Sequence, residues 1–239
     1  MRTLVWFSCG VTSACVAKLV SKSYLNVEVL YCDTLAYEHP DNKRFMHDVS
    51  EWIGQEIKII RSEKYTDIYD VFNKTGWLVG NGMAKCTQEL KIKVREQYMK
   101  PEDIHIFGFT VEEAKRIERF KQNNPDLYCI FPLQYLNMNK QDCFNMLIKA
   151  GIEIPMMYKL GYKNNNCIGC VKGGKGYWNK IRVDFPDSFE RMAKQERKMG
   201  VKIFKDVYLD ELPKDAGRYK SEYEIECGIG CGLYYGDNR

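Results

Sequence analysis

Five short apolar, β-branched runs alternate with helix-period segments along the first 133 residues, and this alternation restricts the fold more than any other feature of the chain. Thr3–Phe7, Val27–Tyr31, Ile57–Ile60, His105–Phe109 and Cys129–Leu133 have the length and residue types of strands. Between the first two, Thr12–Ser23 carries Val16, Leu19 and Val20 at helical spacing, and His39–Trp52 reads as the next helix. Strands alternating with helices in this way pair in parallel through right-handed crossovers, so the expected class is α/β with a central, mostly parallel five-stranded sheet. From about Lys140 the pattern changes to a helix through Leu147, a loop rich in Gly, Asn and Lys, a helix over Phe185–Lys198 and an irregular tail.

The 239-residue chain is 45% apolar, which suits one α/β domain with a short appended tail. Its formal net charge of +4 fits an anionic ligand and equally an ordinary soluble surface. Thr3–Phe7 is too short for the apolar stretch of a signal peptide and no run reaches membrane-span length, so a cytoplasmic protein is expected. In that reducing compartment ten cysteines argue for ligands, a catalytic thiol or small buried hydrophobes rather than a disulfide scaffold.

The first strand-to-helix junction reads Ser8-Cys9-Gly10-Val11-Thr12-Ser13. Small residues there let backbone N–H groups approach a phosphate, although a plain turn with Thr12 or Ser13 as N-cap has the same composition. No Gly-Lys-Ser/Thr ending follows, so it is not a Walker A loop. It resembles the SGGxDS loop of the adenine-nucleotide α-hydrolase superfamily, which includes PP-loop ATP pyrophosphatases and phosphoadenosine phosphosulfate (PAPS) reductases. Cys9 stands in place of the first Gly and Thr12 in place of the Asp. Tyr31-Cys32-Asp33-Thr34 followed by Glu38-His39-Pro40 is similar to the DTG...FPET segment of PAPS reductases, and Gly108 with Glu113, Arg116 and Arg119 to their Gly...Glu...Arg segment. The resemblance implies a Rossmann-like fold in which Ser8, Cys9, Gly10, Thr12, Ser13, Asp33, Thr34 and Gly108 hold an adenine nucleotide, and Arg116 and Arg119 steer its sulfate. Arginine suits bidentate oxyanion contact, while residues 112–121 equally read as a solvated helix with i,i+3 and i,i+4 charge pairs. Residues 1–150 are then the nucleotide-binding α/β domain, and 151–239 a Cys-rich extension that closes over the site without being an independent domain.

Cys86 opens CTQELK, which resembles the C...LK segment of PAPS reductases, and Pro155 to Cys170 resembles their segment ending in GY.SIGC..C. In iron–sulfur members of that group such cysteines bind a [4Fe–4S] cluster, which implies Cys86, Cys167, Cys170 and, from the tail, Cys231 or Cys227 as ligands. CxxC at 167–170 with CxxxC at 227–231 is also good tetrahedral zinc spacing, and buried thiols without a metal are a third reading. Gly217-Arg218 and Glu226-Cys227-Gly228-Ile229 resemble the GR...ECG(L/I)H ending of these reductases, with Gly230 in place of His and Cys231 next. That ending implies Cys227 as the nucleophile on sulfate sulfur, and a thioredoxin-like reductant to resolve the thiosulfonate.

Between Ile154 and Val183 lie Lys159, Lys163, Lys172, Lys175, Lys180 and Arg182 and no acidic residue. This segment reads as an anion-binding loop with Tyr177 and Trp178 to stack on a base, or as a solvent-facing lysine loop whose aromatics fill the core. Three functions follow as expectations. The first is thiol-dependent reduction of PAPS, or of adenosine phosphosulfate (APS), to sulfite. The second is ATP cleavage to adenylate a tRNA or DNA base for iron–sulfur-assisted sulfur insertion. The third is nucleotide binding without catalysis. A homo-oligomer without membrane attachment is expected.

Overall fold

Thr3–Phe7 (β1) is buried at every position because it is the central strand of a sheet covered on both faces. Val5 and Phe7 enter one core and Leu4 and Trp6 the opposite one, the period-2 split of an extended chain. The computed structural model describes residues 1–79, 84–222 and 225. With β2 (Val27–Cys32), β3 (Ile57–Ile60), β4 (Ile104–Ile106) and β5 (Tyr128–Ile130), β1 forms a five-stranded sheet in the order β3-β2-β1-β4-β5. Each neighbouring pair is parallel, with Val5 opposite Val29 on one side and Ile106 on the other. The helices are α1 (Val11–Ser21), α2 (Asn42–Ile53), α3 (Ile68–Thr75), α4 (Lys85–Thr87), α5 (Lys93–Tyr98), α6 (Ala114–Asn123), α7 (Pro132–Tyr135), α8 (Lys140–Lys149), α9 (Met156–Lys159), α10 (Lys175–Asp184) and α11 (Pro186–Met199).

Helices α1, α2 and α8 cover one face through Val16, Phe45, Val49 and Leu147. The other face carries Phe107, Phe109, Phe120 and Phe131, with Phe107 and Phe120 edge-on at 4.7 Å between centroids. A further core, around the fully buried Trp178, joins α3 to α10 and α11 and contains no strand residue. Among the described residues no helix is long and apolar enough to cross a membrane.

The expected strands are recovered with two shifts. β4 ends at Ile106, so Phe107–Phe109 leave the sheet, and β5 ends at Ile130 because Pro132 starts α7. The Gly-, Asn- and Lys-rich loop expected after residue 150 contains α10, a ten-residue helix hidden by the glycines that precede and enter it.

His105 on β4 is buried, stacked on Trp6 at 6.0 Å, and its Nδ1 accepts a hydrogen bond from Trp6 Nε1 (3.1 Å). Burial, followed by the charge of Arg95, lowers its pKa to about 4. Since the folded value lies below the unfolded one, the unfolded chain binds the proton first. This stabilisation is full above about pH 6.5 and is lost as pH falls towards 4, amounting to about 3 kcal/mol. Urea midpoints of wild type and His105→Gln between pH 7 and 4.5 are expected to show a steeper decline for wild type; parallel declines would contradict this account.

Candidate functional site

A cavity of about 380 Å³ opens at the carboxyl ends of β1, β2 and β4, where the strand order reverses. One wall is the turn between β1 and α1. Ser8 N–H donates to Ser13 Oγ (3.1 Å) and the Ser13 hydroxyl donates to the Gly10 carbonyl (2.9 Å), so the turn closes on itself. Cys9 lies at φ 55°, the left-handed region that glycine occupies without strain. Helix α1 has no side-chain cap and no acidic residue in its first turn, whereas Asp67 caps α3 and Asn139 caps α8. Gly10, Thr12 and Ser13 line the cavity, so the partial positive charge of this helix end is presented there without a carboxylate to offset it. Gly108 lies against the same turn: a Cβ there would come within 2.9 Å of Ser13 N and of Thr12 C and O.

Positive charge comes from three other elements. The Arg116 guanidinium lies 4.3 Å from the Phe109 ring centre and pairs with Glu113. Lys140 Nζ donates to the Lys163 carbonyl (2.7 Å) and to Asn164 Oδ1 (2.8 Å). Lys91 sits in a π turn, Gln88–Ile92, between α4 and α5, and borders both this cavity and a second one. The carboxylates in the wall are engaged internally: Glu113 accepts from Thr110 N–H (2.9 Å) and Glu112 from Lys140 N–H (3.1 Å). Glu38 accepts from Thr34 Oγ1 and Asn42 Nδ2, both at 2.6 Å. Asn42 Oδ1 accepts from Asn165 Nδ2 (2.8 Å), which also donates to the Cys9 carbonyl (2.6 Å). This buried chain ties three segments remote in sequence and holds the left-handed Cys9 backbone in place.

Of the residues marked in the sequence, Ser8, Gly10, Thr12, Ser13, Gly108 and Arg116 line this cavity together. Cys9 is buried, and burial pushes its thiol pKa well above the ordinary value. Asp33 pairs instead with Arg61 (3.3 Å), Thr34 turns to Glu38 and the second cavity, and Arg119 is half-buried outside the cavity lining. Lys91 stood only as the last residue of the CTQELK motif, and Lys140, Asn42 and Asn165 were not marked, although the Asn run preceding Cys167 contains Asn165.

The second cavity, about 20 Å³, is bordered by Cys86, Cys167 and Cys170 with Thr34, Phe72 and Lys91. Its volume suits about one water molecule. Among the described residues no three His, Cys, Asp or Glu side chains are placed to hold a metal ion. Cys227 and Cys231 lie outside the described residues.

The basic segment is bonded within the protein. Lys159 pairs with Glu153, Lys163 Nζ donates to the Glu222 carbonyl, Lys175 pairs with Asp206 (2.5 Å) and Lys180 with Asp184 (2.8 Å). Arg182 donates to the carbonyls of Leu209 (3.1 Å) and Leu212 (2.8 Å). Tyr177 and Trp178 are 2% and 0% exposed, so they fill the core and present no face to a base.

No curated protein matches this chain. Among solved structures, the phosphoadenylyl-sulfate (PAPS) reductase of Candida auris, determined as a phosphate complex, is similar with a TM-score of 0.51 and 15% identity over 70% of this chain and 81% of that one. At that identity the likeness carries the fold alone. The phosphoadenosine phosphosulfate reductase domain profile matches residues 2–173, from β1 through the cavity walls to Cys170. The sheet, its cavity and this match over most of the chain agree: the chain belongs to the phosphoadenosine phosphosulfate reductase family.

Proposed function

We propose that the larger cavity binds a phosphosulfate of adenosine, PAPS or APS, and that the enzyme reduces its sulfate to sulfite. The carrying observation is one cavity with two separate places for anions: the α1 end without a carboxylate cap, and the cations Arg116, Lys91 and Lys140. Trp6, Phe107 and Phe109 add apolar wall suited to a purine.

On this reading the Ser8–Ser13 turn holds phosphate and Arg116 faces the sulfate. Ile225 lines the cavity, and Cys227 follows two positions along the chain. The Cys227 thiolate attacks the sulfate sulfur, the S–O bond to phosphate breaks, and the adenosine phosphate leaves with the bonding electrons. Cys227 is left as a thiosulfonate. A dithiol reductant of the thioredoxin type attacks the Cys227 sulfur, sulfite leaves, and its second thiol resolves the mixed disulfide, so the dithiol supplies both electrons.

Anaerobic incubation with PAPS, APS and ATP separately, with thioredoxin and a reductant, tests this. Sulfite with the matching adenosine phosphate is the expected product. AMP and pyrophosphate from ATP alone would replace this reading with nucleic-acid sulfur transfer, and binding without turnover would leave a nucleotide-binding protein.

The smaller cavity is proposed as the edge of a [4Fe–4S] site held by Cys86, Cys167, Cys170 and Cys231. The support is that Cys86, Cys167 and Cys170 border one cavity beside Lys91, a soft sulfur lining whose chemistry also admits zinc, although among the described residues no three such side chains are placed to hold a metal ion. Bound there, a cluster would supply redox-capable iron. Anaerobically purified protein is expected to contain iron and labile sulfide that fall sharply in Cys167→Ala; stoichiometric zinc without iron would overturn the cluster.

A further inference from the structure

The glycine-rich segment 173–176 does receive an anion, and the anion belongs to the chain itself. Glu222 Oε1 accepts from Gly176 N–H (2.5 Å) and Oε2 from Tyr177 N–H (2.9 Å), at the N-terminus of α10. That helix has no acidic residue in its first turn and no cap from Gly174, so the tail's carboxylate satisfies its orphan donors and its dipole. The glycines make the seat possible. A Cβ on Gly174 would lie 2.6 Å from the Glu222 carboxylate carbon, and one on Gly176 would lie 2.4 Å from Tyr219 N. Gly217, at φ 76°, would bring a Cβ to 2.2 Å from Gly176 N.

A second set of bonds holds the same stretch from the cavity side. Lys163 Nζ donates to the Glu222 carbonyl, and Lys163 N–H donates to Tyr219 Oη (2.8 Å). The Ile225 carbonyl accepts from Asn166 Nδ2 (3.1 Å). Ile225 lines the larger cavity, and Asn165, between Asn164 and Asn166, is bonded to the Cys9 turn.

We propose that Glu222 is a positioning residue: its carboxylate latches residues 217–222 onto the N-terminus of α10 and so sets where Ile225 stands in the wall of the larger cavity. The inference rests on the reading of Cys227 as nucleophile only for its kinetic consequence. The latch itself is a structural claim and is tested separately.

The test compares full-length wild type, Glu222→Gln and Glu222→Ala. Trypsin cleavage at the exposed Arg218 and Lys220 is expected to accelerate about tenfold or more in Glu222→Ala, with a smaller change in Glu222→Gln, which keeps one acceptor. The melting temperature should stay close to wild type. Sulfite release should lose kcat about tenfold or more while KM for the phosphosulfate changes little, because the 217–222 stretch and not the ligand has been displaced. Unchanged cleavage rates in Glu222→Ala would overturn the latch whatever the enzyme's activity. Faster cleavage in a protein whose wild type releases no sulfite would uphold the latch and reject the reductase reading instead.

Discussion

Cys227→Ser is expected to abolish sulfite release, with a loss of about 10³-fold or more, and to leave nucleotide affinity within about twofold of wild type. The substitution removes the ionisable thiol, and a sulfated serine would offer no divalent side-chain sulfur for the dithiol to attack with sulfite as leaving group, so both half-reactions fail. Binding is spared because the groups assigned to the ligand, the Ser8–Ser13 turn and Arg116, belong to the sheet and its connections. The described cysteines at the cavity do not provide a substitute. Cys32 lines it, but burial pushes its pKa up to about 12, and Cys9 is raised by burial as well, so neither is a thiolate near neutral pH. Sulfite assay and calorimetric titration of the variant separate the two effects. Full activity in Cys227→Ser would place the nucleophile elsewhere.

The parallel sheet was legible because its inner strands are buried on both faces and read as continuous apolar runs, as β1 does. Helix α10 was not legible. Gly173, Gly174 and Gly176 lower helix propensity locally, yet Gly173 makes room for the Tyr177 ring and Gly174 and Gly176 for the close passage of residues 217–222, contacts that no local pattern announces. The same contact explains the lysines around it. Lys163 and Lys175 have lost the freedom that a basic stretch suggests, because Glu222 and Asp206 arrive from later in the chain.

The site divides along the same line. Residues that reach the cavity through local structure, the Ser8–Ser13 turn and Gly108, were visible as small residues at strand ends. Asn42 and Asn165 were not, since an asparagine acquires meaning only from the partner it meets, 123 positions away in this pair. Thr34 and Asp33 show the converse. A carboxylate and a hydroxyl at the end of β2 were expected at the ligand, but the hydroxyl donates to Glu38 and the carboxylate pairs with Arg61.

Gly108→Ala is expected to destabilise the protein by about 3 kcal/mol, the upper end for overpacking, and to weaken the proposed nucleotide site at the same time. The new methyl would meet Ser13 N and Thr12 C and O at 2.9 Å, all of them backbone atoms that cannot rotate away. Relief requires the segment after β4 and the turn before α1 to separate, and this turn is pinned from behind by Asn165 on the Cys9 carbonyl. A displacement of about 1 Å at a positioned site costs about 10²-fold in rate, and the loss should appear in phosphosulfate affinity as well as in turnover. Gly54→Ala is the control: Gly54, unlike Gly108, has positive φ, but nothing lies within 4 Å of the added methyl, so stability should fall without a change in affinity. Urea midpoints and nucleotide Kd for the two variants decide the matter. An affinity unchanged in Gly108→Ala would mean that the strand end yields alone, and that the turn does not depend on Gly108 for its shape.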